Sequence, residues 1–264
     1  GYVRVASSTV YVQPGNAVAA FPYDTPETGY ASLAAAVGAA YDGYTLRLNA
    51  GVYESSGQIS VTKALTIVGM GATPEAVVLR NTAATPDTYY HRTIELNNAG
   101  ASLANVTVEN GKVKNQFGGN LRIAGGACVS NCVIRGGLAV ADGGNAAGAG
   151  VVLSGSGSTI THCVISNNVV QGTSASGAYA GGAVFVEYGA KSIHLSNLLI
   201  VGNRYEPTDE TKDGTAGVRY GGSNDWTTME NCTVAGNEVA GSLPKDSAAL
   251  YCTSWQVLFY NNIF

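Results

Sequence analysis

The chain has 264 residues, 45% of them hydrophobic, enough to bury a sizeable core, so disorder is not the default reading. Only 12% are charged and the formal net charge is −4, which gives no electrostatic reason to expect nucleic acid or an anionic membrane as partner. No apolar run approaches the ~20 residues that span a bilayer, while 35 glycines point to many tight turns beneath a surface of Asn, Ser, Thr and Gly.

In chain order, "YVRV" and "TVYVQ" open the sequence with the Val alternation of strands. The segment "YASLAAAVGAAYDG" places Leu33, Val37 and Ala40 at helical spacing. A short Ala-rich helix here would cover the first coil of strands, whose edge would otherwise offer unpaired backbone groups. Strand-like segments with glycine turns come next, "LRLNAGVYE" and "VTKALTIVGMG".

From residue 103 onward one unit recurs: "LANVTV" from Leu103, "VSNCVI" from Val129, "ITHCVI" from Ile160, "LSNLLI" from Leu195, "MENCTV" from Met229 and "LFYNNI" from Leu258. The intervals are 26, 31, 35, 34 and 29 residues, the mark of a solenoid. Each unit has a further strand upstream, near Ile94, Leu121, Val151, Val184, Val218 and Leu250, giving three short strands per turn. Leu103 and Val108 are five apart, so both face inward only if the chain bends between them, and Asn105 tolerates the left-handed conformation of such a corner. Stacked at ~4.8 Å, Asn105, Asn131, Asn197 and Asn231 should form a ladder of amides. Val106, Cys132, Cys163, Leu198 and Cys232 then make one inward column in which Cys acts as a small hydrophobe. A Cys132–Cys163 disulfide suits in-register neighbours poorly because their Cβ vectors are parallel. Zinc is disfavoured because Cys128 faces outward and Cys132 inward, with no CxxC pair.

The helix, "LRLNAGVYE", "VTKALTIVGMG" and the Asn-bearing coils together resemble the right-handed parallel β-helix proteins of the pectate-lyase-like superfamily, especially bacterial secreted and cell-surface members. The resemblance covers essentially the whole chain. It implies an all-β solenoid of about seven or eight coils: one β-helix domain over 1–264, with N-terminal strands and capping helix in 1–50 and coils in 51–264. It also implies an extracellular or cell-surface location. The superfamily includes lyases, hydrolases, esterases, tailspikes and adhesins, so fold does not fix activity.

Long insertions fall at one corner of the coil, from Asn81, Glu109, Gly136, Asn168, Asn203 and Asn237, and are expected to wall one side of the upstream-strand sheet. That sheet's outward column should read Glu95, Arg122, Val152, Phe185, Arg219, Tyr251. Glu95 and Glu187, three coils or about 14 Å apart at the coil spacing, cannot form the carboxylate pair of a glycosidase. A lyase or hydrolase acting in this groove would rest on Arg219 as base, with Glu187 and Asp225; the competing reading pairs Glu187 with Arg219 as a surface ion pair. Glu206, Asp209, Glu210 and Asp213 in "EPTDETKDG" could hold calcium but lack a defined calcium-loop spacing, so no cofactor is expected. None of the three histidines has a nearby Ser or Cys suggesting a triad. Tyr89, Tyr90, Tyr179, Phe185, Tyr188, Tyr205, Tyr220, Trp226, Tyr251 and Trp255 gather on or beside the sheet, and such rings stack on sugars. The expectation is therefore a non-catalytic module with a structural, adhesive or glycan-binding face. The final unit ends inside a coil, an open edge expected to be completed by further chain or by a second molecule stacking end to end as in a fibre.

Overall fold

The computed structural model describes residues 7–82, 91–175, 180–209, 214–222, 226–241, 248–252 and 256–264. The polypeptide winds as a right-handed parallel β-helix. One coil runs through Ile94–Leu96, Ser102–Ala104, Thr107–Glu109 and Lys112–Lys114, and each strand pairs in parallel with its counterparts in neighbouring coils. In that order the strands build four sheets, with a further two-stranded sheet formed by Ala146–Ala147 and Ala180–Gly181. Sheet 1 has seven strands, from Ile59–Val61 to Leu250–Cys252; sheet 2 has nine, from Thr9–Val12 to Val257–Tyr260; sheet 3 has seven, from Gly51–Ser55 to Thr233–Ala235; sheet 4 has five, from Lys112–Lys114 to Glu238–Val239.

The corner between sheets 2 and 3 forms as the sequence requires. Asn105, Asn131, His162, Asn197 and Asn231 all have φ between 50° and 55°, which turns the chain so that Leu103 and Val108 both face the core, each fully buried. Val106, Cys132, Cys163, Leu198 and Cys232 follow as a buried column, and all five cysteines are free. At the last coil the alignment with Leu258 slips by one residue. Met229 pairs with Phe259, and Asn261 takes the corner at φ 51°. Because strand faces alternate, a one-residue shift exchanges the inward and outward sets. The observed register sends Phe259 inward, edge-on to Tyr220 with ring centroids 6.0 Å apart. Asn262 replaces the cysteine of that column, accepting from Cys232 N at 2.9 Å and donating to Met229 O at 2.8 Å.

The corner amides bond along only part of the expected ladder, and the adjacent Asn197 and Asn231 share no side-chain hydrogen bond. Asn131 Nδ2 donates to Asn105 Oδ1 at 3.0 Å and Asn261 Nδ2 to Asn231 Oδ1 at 3.4 Å, while His162 interrupts the series. A second, buried ladder stands between sheets 3 and 4. Asn168 donates to Asn203, and Asn203 to Asn237, each at 2.9 Å. The column continues downward at Gly137, where a side chain would strike Ala149 O, and Asn120 enters from the following segment to donate to Asn168 Oδ1 at 3.1 Å.

The corner insertions are thus a fourth stack, whose central residues Val113, Ala139, Val170 and Tyr205 are buried in a second core with Ala146, Ala149 and Ala216. The sequence reads them as loops because three-residue strands such as "KVK" or "RYE" are too short to show an alternating pattern.

At the N-terminal end the helix Leu33–Ala39 buries Leu33, Ala36 and Val37. Ser32 Oγ caps it by accepting from Ala35 N at 3.2 Å. Lys63 Nζ closes the other end, donating to Val37 O, Gly38 O and Ala40 O at 3.1, 2.8 and 2.6 Å, where unpaired carbonyls favour a cation. The strand Thr9–Val12 pairs with Thr45–Leu48 and so belongs to sheet 2, while "YVRV" lies outside the described residues.

Candidate functional site

The outward column of sheet 1 is in the register read from the sequence: Ser60, Glu95, Arg122, Val152, Phe185, Arg219 and Tyr251 are successive partners. It is not one open groove. Val152 and Phe185 are fully buried and Arg219 is 3% exposed. Segments returning from the fourth sheet lie directly on them. Phe117 meets Phe185 edge-on at 5.0 Å, and Gly118 and Gly148 come so close that a Cβ would sit 2.5 Å from Val152 Cγ1 and 2.9 Å from Phe185 Cβ. The insertions cover the middle of the face instead of walling one side of it.

The face opens at its N-terminal end. Arg122 Nη1 stands 3.3 Å from Glu95 Oε1, and Gln58 Nε2 donates to Glu95 Oε2 at 2.7 Å. Arg122 Nε donates to Ser154 Oγ at 3.2 Å. Behind them Arg92, 7% exposed, gives Nη1 to Gln58 Oε1 at 2.8 Å and Nη2 to Gln116 Oε1 at 3.2 Å and Phe117 O at 3.1 Å. Burial pulls the Arg92 pKa down, Glu95 pulls it back up, and the guanidinium remains charged at neutral pH. Two guanidiniums thus accompany one carboxylate, leaving a donor-rich, net positive patch. Beside it a cleft of about 250 Å³ runs between helix and sheet, lined by Ala34, Val37, Gly38, Gln58, Ser60 and Lys63 among others. A second hollow of about 390 Å³ shares Ala34 and Ile59 with it and extends past Ser32 and Glu54.

This network holds a single carboxylate, already committed to Arg122 and Gln58. General acid and base catalysis of glycosidic cleavage wants two. Its geometry suits holding hydroxyl or carboxylate oxygens of a ligand. The cross-coil opposition of Glu95 and Arg122, 27 residues apart and of opposite sign, is the signal for it in the sequence.

The nominated residues scatter. Arg219, the suggested base, is a buried guanidinium whose Cζ lies 4.2 Å from the Tyr251 ring centroid, shielded from any substrate in the groove. Glu187 is half-buried at the end of its strand, and Asp225 lies outside the described residues. Among the aromatic rings Phe185, Tyr205 and Tyr220 are fully buried and serve packing, which removes them from a sugar-stacking surface. Tyr188 and Trp226 are 62% and 72% exposed, in successive turns leading from sheet 1 to sheet 2, and Tyr251 is half-buried. Tyr89, Tyr90, Tyr179 and Trp255 lie outside the described residues, as do Glu210 and Asp213 of the acidic loop. Glu206 is held by Arg204 at 3.3 Å and by Gln171 Nε2 at 2.9 Å, and Asp209 N donates to Thr173 Oγ1 at 2.8 Å. Among the described residues no three His, Cys, Asp or Glu side chains converge on a metal-sized site.

The histidine reading also changes. The 34-residue interval sets His194 opposite Thr228, whose hydroxyl meets Nδ1 at 2.5 Å, while Nε2 stands 3.2 Å from Glu230 Oε1. The partner is one coil away, where a search nearby in sequence misses it.

No family model matches the sequence, and none of the curated proteins does. Among solved structures, Escherichia coli YbhC shares 13% identity over 100% of this chain and 86% of its own, with a TM-score of 0.45. Pectin methylesterase from carrot shares 14% over 99% of this chain and 84% of its own, with a TM-score of 0.41. Pectin methylesterase from Aspergillus niger shares 15% over 99% and 87%, with a TM-score of 0.39. The stacked, all-parallel sheets make the chain a parallel β-helix. No helix among the described residues is long and apolar enough to cross a membrane.

Proposed function

We propose that the protein is an extracellular or cell-surface β-helix module that binds polysaccharide, without cleaving it, on the open end of sheet 1. The observation that carries this reading is the Glu95–Arg122–Gln58–Arg92 network: a donor-rich patch beside a cleft, with its one carboxylate already paired. Fixed guanidiniums recognise carboxylate and hydroxyl oxygens well, and a carboxylate locked to arginine is a poor proton carrier. The exposed rings of Tyr188 and Trp226 add stacking surface farther along the coil axis.

The test is affinity electrophoresis through gels cast with neutral or acidic polysaccharides, run alongside absorbance for unsaturated products and a reducing-end assay. Retardation that Arg122→Ala abolishes, without product, supports the module. Product formation would instead support a lyase or hydrolase, and absence of both retardation and product across the panel would overturn the glycan reading.

A further inference from the structure

We propose that Thr228 is an activated nucleophile that takes up the acyl group of an activated ester, with His194 as its base and Glu230 positioning that base. The site lies on the outward face of sheet 2, away from the proposed polysaccharide patch, and its three groups come from two neighbouring strands. His194 and Thr228 are direct cross-coil partners, and Glu230, two residues further along, points to the same face. Thr228 Oγ1 stands 2.5 Å from His194 Nδ1 and His194 Nε2 stands 3.2 Å from Glu230 Oε1, so that with the ring proton on Nε2, toward the carboxylate, Nδ1 accepts from the Thr228 hydroxyl. Carboxylate, imidazole and hydroxyl therefore stand in the order that activates an alcohol, the carboxylate fixing the tautomer that leaves the Nδ1 lone pair aimed at oxygen. The His194 and Glu230 side chains are 41% and 36% exposed, so an ester can reach the group.

The surface contains its own comparator. Thr161 Oγ1 lies 2.8 Å from His162 Nδ1, but the corner turn between these adjacent residues makes that contact, and no carboxylate bond to His162 accompanies it among the described residues.

In the reaction Thr228 Oγ1 attacks the ester carbonyl carbon while its proton passes to His194 Nδ1. The bond from carbonyl carbon to the leaving oxygen or sulfur breaks, and the leaving group takes that proton. Water, deprotonated by the same nitrogen, later releases the carboxylic acid and restores the hydroxyl. Thr228 N is already donated to Ile193 O at 2.9 Å, so it gives the developing oxyanion no free donor. A missing oxyanion donor costs about 10²–10³ in rate, which restricts the acyl donors to aryl esters and thioesters with good leaving groups.

The experiment incubates the whole chain with p-nitrophenyl acetate and maps acetylated peptides by mass spectrometry over time. Thr228 is expected to be labelled about 100-fold faster than Thr161 or the exposed Thr66, the scale of general-base assistance. Thr228→Val should remove the adduct, and His194→Ala should slow it by a similar factor. Glu230→Ala should slow it less and also move His194 away from the Nε2–H tautomer in long-range ¹H–¹⁵N spectra, a change that mere loss of stability would not produce. Labelling of Thr228 no faster than of Thr66, or labelling unchanged in His194→Ala, overturns the proposal. The comparison between sites in the unmodified chain decides it even where a variant fails to fold.

Discussion

Asn203 sits one coil above Asn168 with both amides buried, and its Oδ1 accepts two bonds from that residue, from N at 3.0 Å and from Nδ2 at 2.9 Å. Its own Nδ2 supplies Ile165 O and Asn237 Oδ1, each at 2.9 Å. Each coil thereby satisfies the backbone of the one below, which lets the chain leave sheet 3 for sheet 4 through a dry corner. Removing one amide orphans donors on one side and acceptors on the other. Asn203→Ala should lower unfolding free energy by about 3 kcal/mol, read from urea denaturation. The exposed Asn197→Ala, which orphans no buried group, should cost less, about 1–2 kcal/mol, the strain of Ala at φ 54°.

A charged ladder crosses sheet 3. Glu109, 7% exposed at its side chain, meets Arg80 Nε at 2.7 Å and Arg135 Nε at 2.9 Å on the strands either side. Burial alone would raise its pKa, but the two guanidiniums outweigh burial and hold the carboxyl below its ordinary value of 4.5. Because the folded pKa is the lower one, the pair stabilises above about pH 4.5, and that contribution is lost as pH falls through the folded value. Glu109→Gln should cost roughly 2 kcal/mol at pH 7, discounted for the 36% and 41% exposure of the arginines, and should flatten the fall of the urea midpoint between pH 5 and pH 3. An acid limb as steep in the variant as in the parent would refute it.

The periodic core was legible because each coil repeats one demand: apolar residues at Leu103, Val106 and Val108 face inward only if Asn105 turns the corner. Register along sheet 1 followed from the same count. The final coil slipped because Leu258 and Phe259 are both apolar and Asn261 and Asn262 are both corner residues, so composition does not separate the two alignments; the ring contact with Tyr220 does. Exposure was the harder property. Phe185 and Arg219 alternate outward as read, yet the fourth stack folds over them, and outward from one sheet became inward to a second layer. The Thr228–His194–Glu230 line and the Asn168–Asn203 bond join residues over 30 apart, visible only when the coil spacing is applied to polar as well as apolar positions.

Arg122 and Arg219 occupy the same outward column, three coils apart, and should behave oppositely when truncated. Arg122 is 37% exposed at its side chain, so Arg122→Ala should leave the melting midpoint within about 2 °C of the parent while abolishing polysaccharide retention. Arg219 packs 4.2 Å above the Tyr251 ring and is shielded from solvent. Arg219→Ala should cost about 2–4 kcal/mol through lost packing and a lost desolvated cation–π contact, with retention intact at a temperature where the variant is folded. Differential scanning fluorimetry paired with the retention gel reads both; equal effects of the two substitutions would contradict the division of the face.

The cysteine column makes the sharpest distinction between inside and outside. Cys132, Cys163 and Cys232 are at most 2% exposed, while Cys128, only four residues before Cys132, faces solvent from the outward side of sheet 2. Cys132 N donates to Cys163 Sγ at 3.4 Å, and hydrogen bonding with Cys132, followed by burial, pushes the Cys163 thiol well above its ordinary pKa. Burial likewise raises Cys232. Since the thiolate is the reacting species, Cys163 and Cys232 are protected twice, by access and by protonation, whereas Cys132, whose pKa is lowered by its hydrogen bonding with Cys163, is protected by burial alone. Treated with an aromatic disulfide at pH 8 without denaturant, Cys128 should label within minutes, whereas Cys132, Cys163 and Cys232 should stay unlabelled until guanidinium is added. The rate at which Cys163 labels below the unfolding transition then measures opening of the coil stack at its middle, and Asn203→Ala, one coil away, should raise it about 100-fold if opening tracks the ~3 kcal/mol lost. Rapid native labelling of all three buried thiols would mean that the column does not face inward.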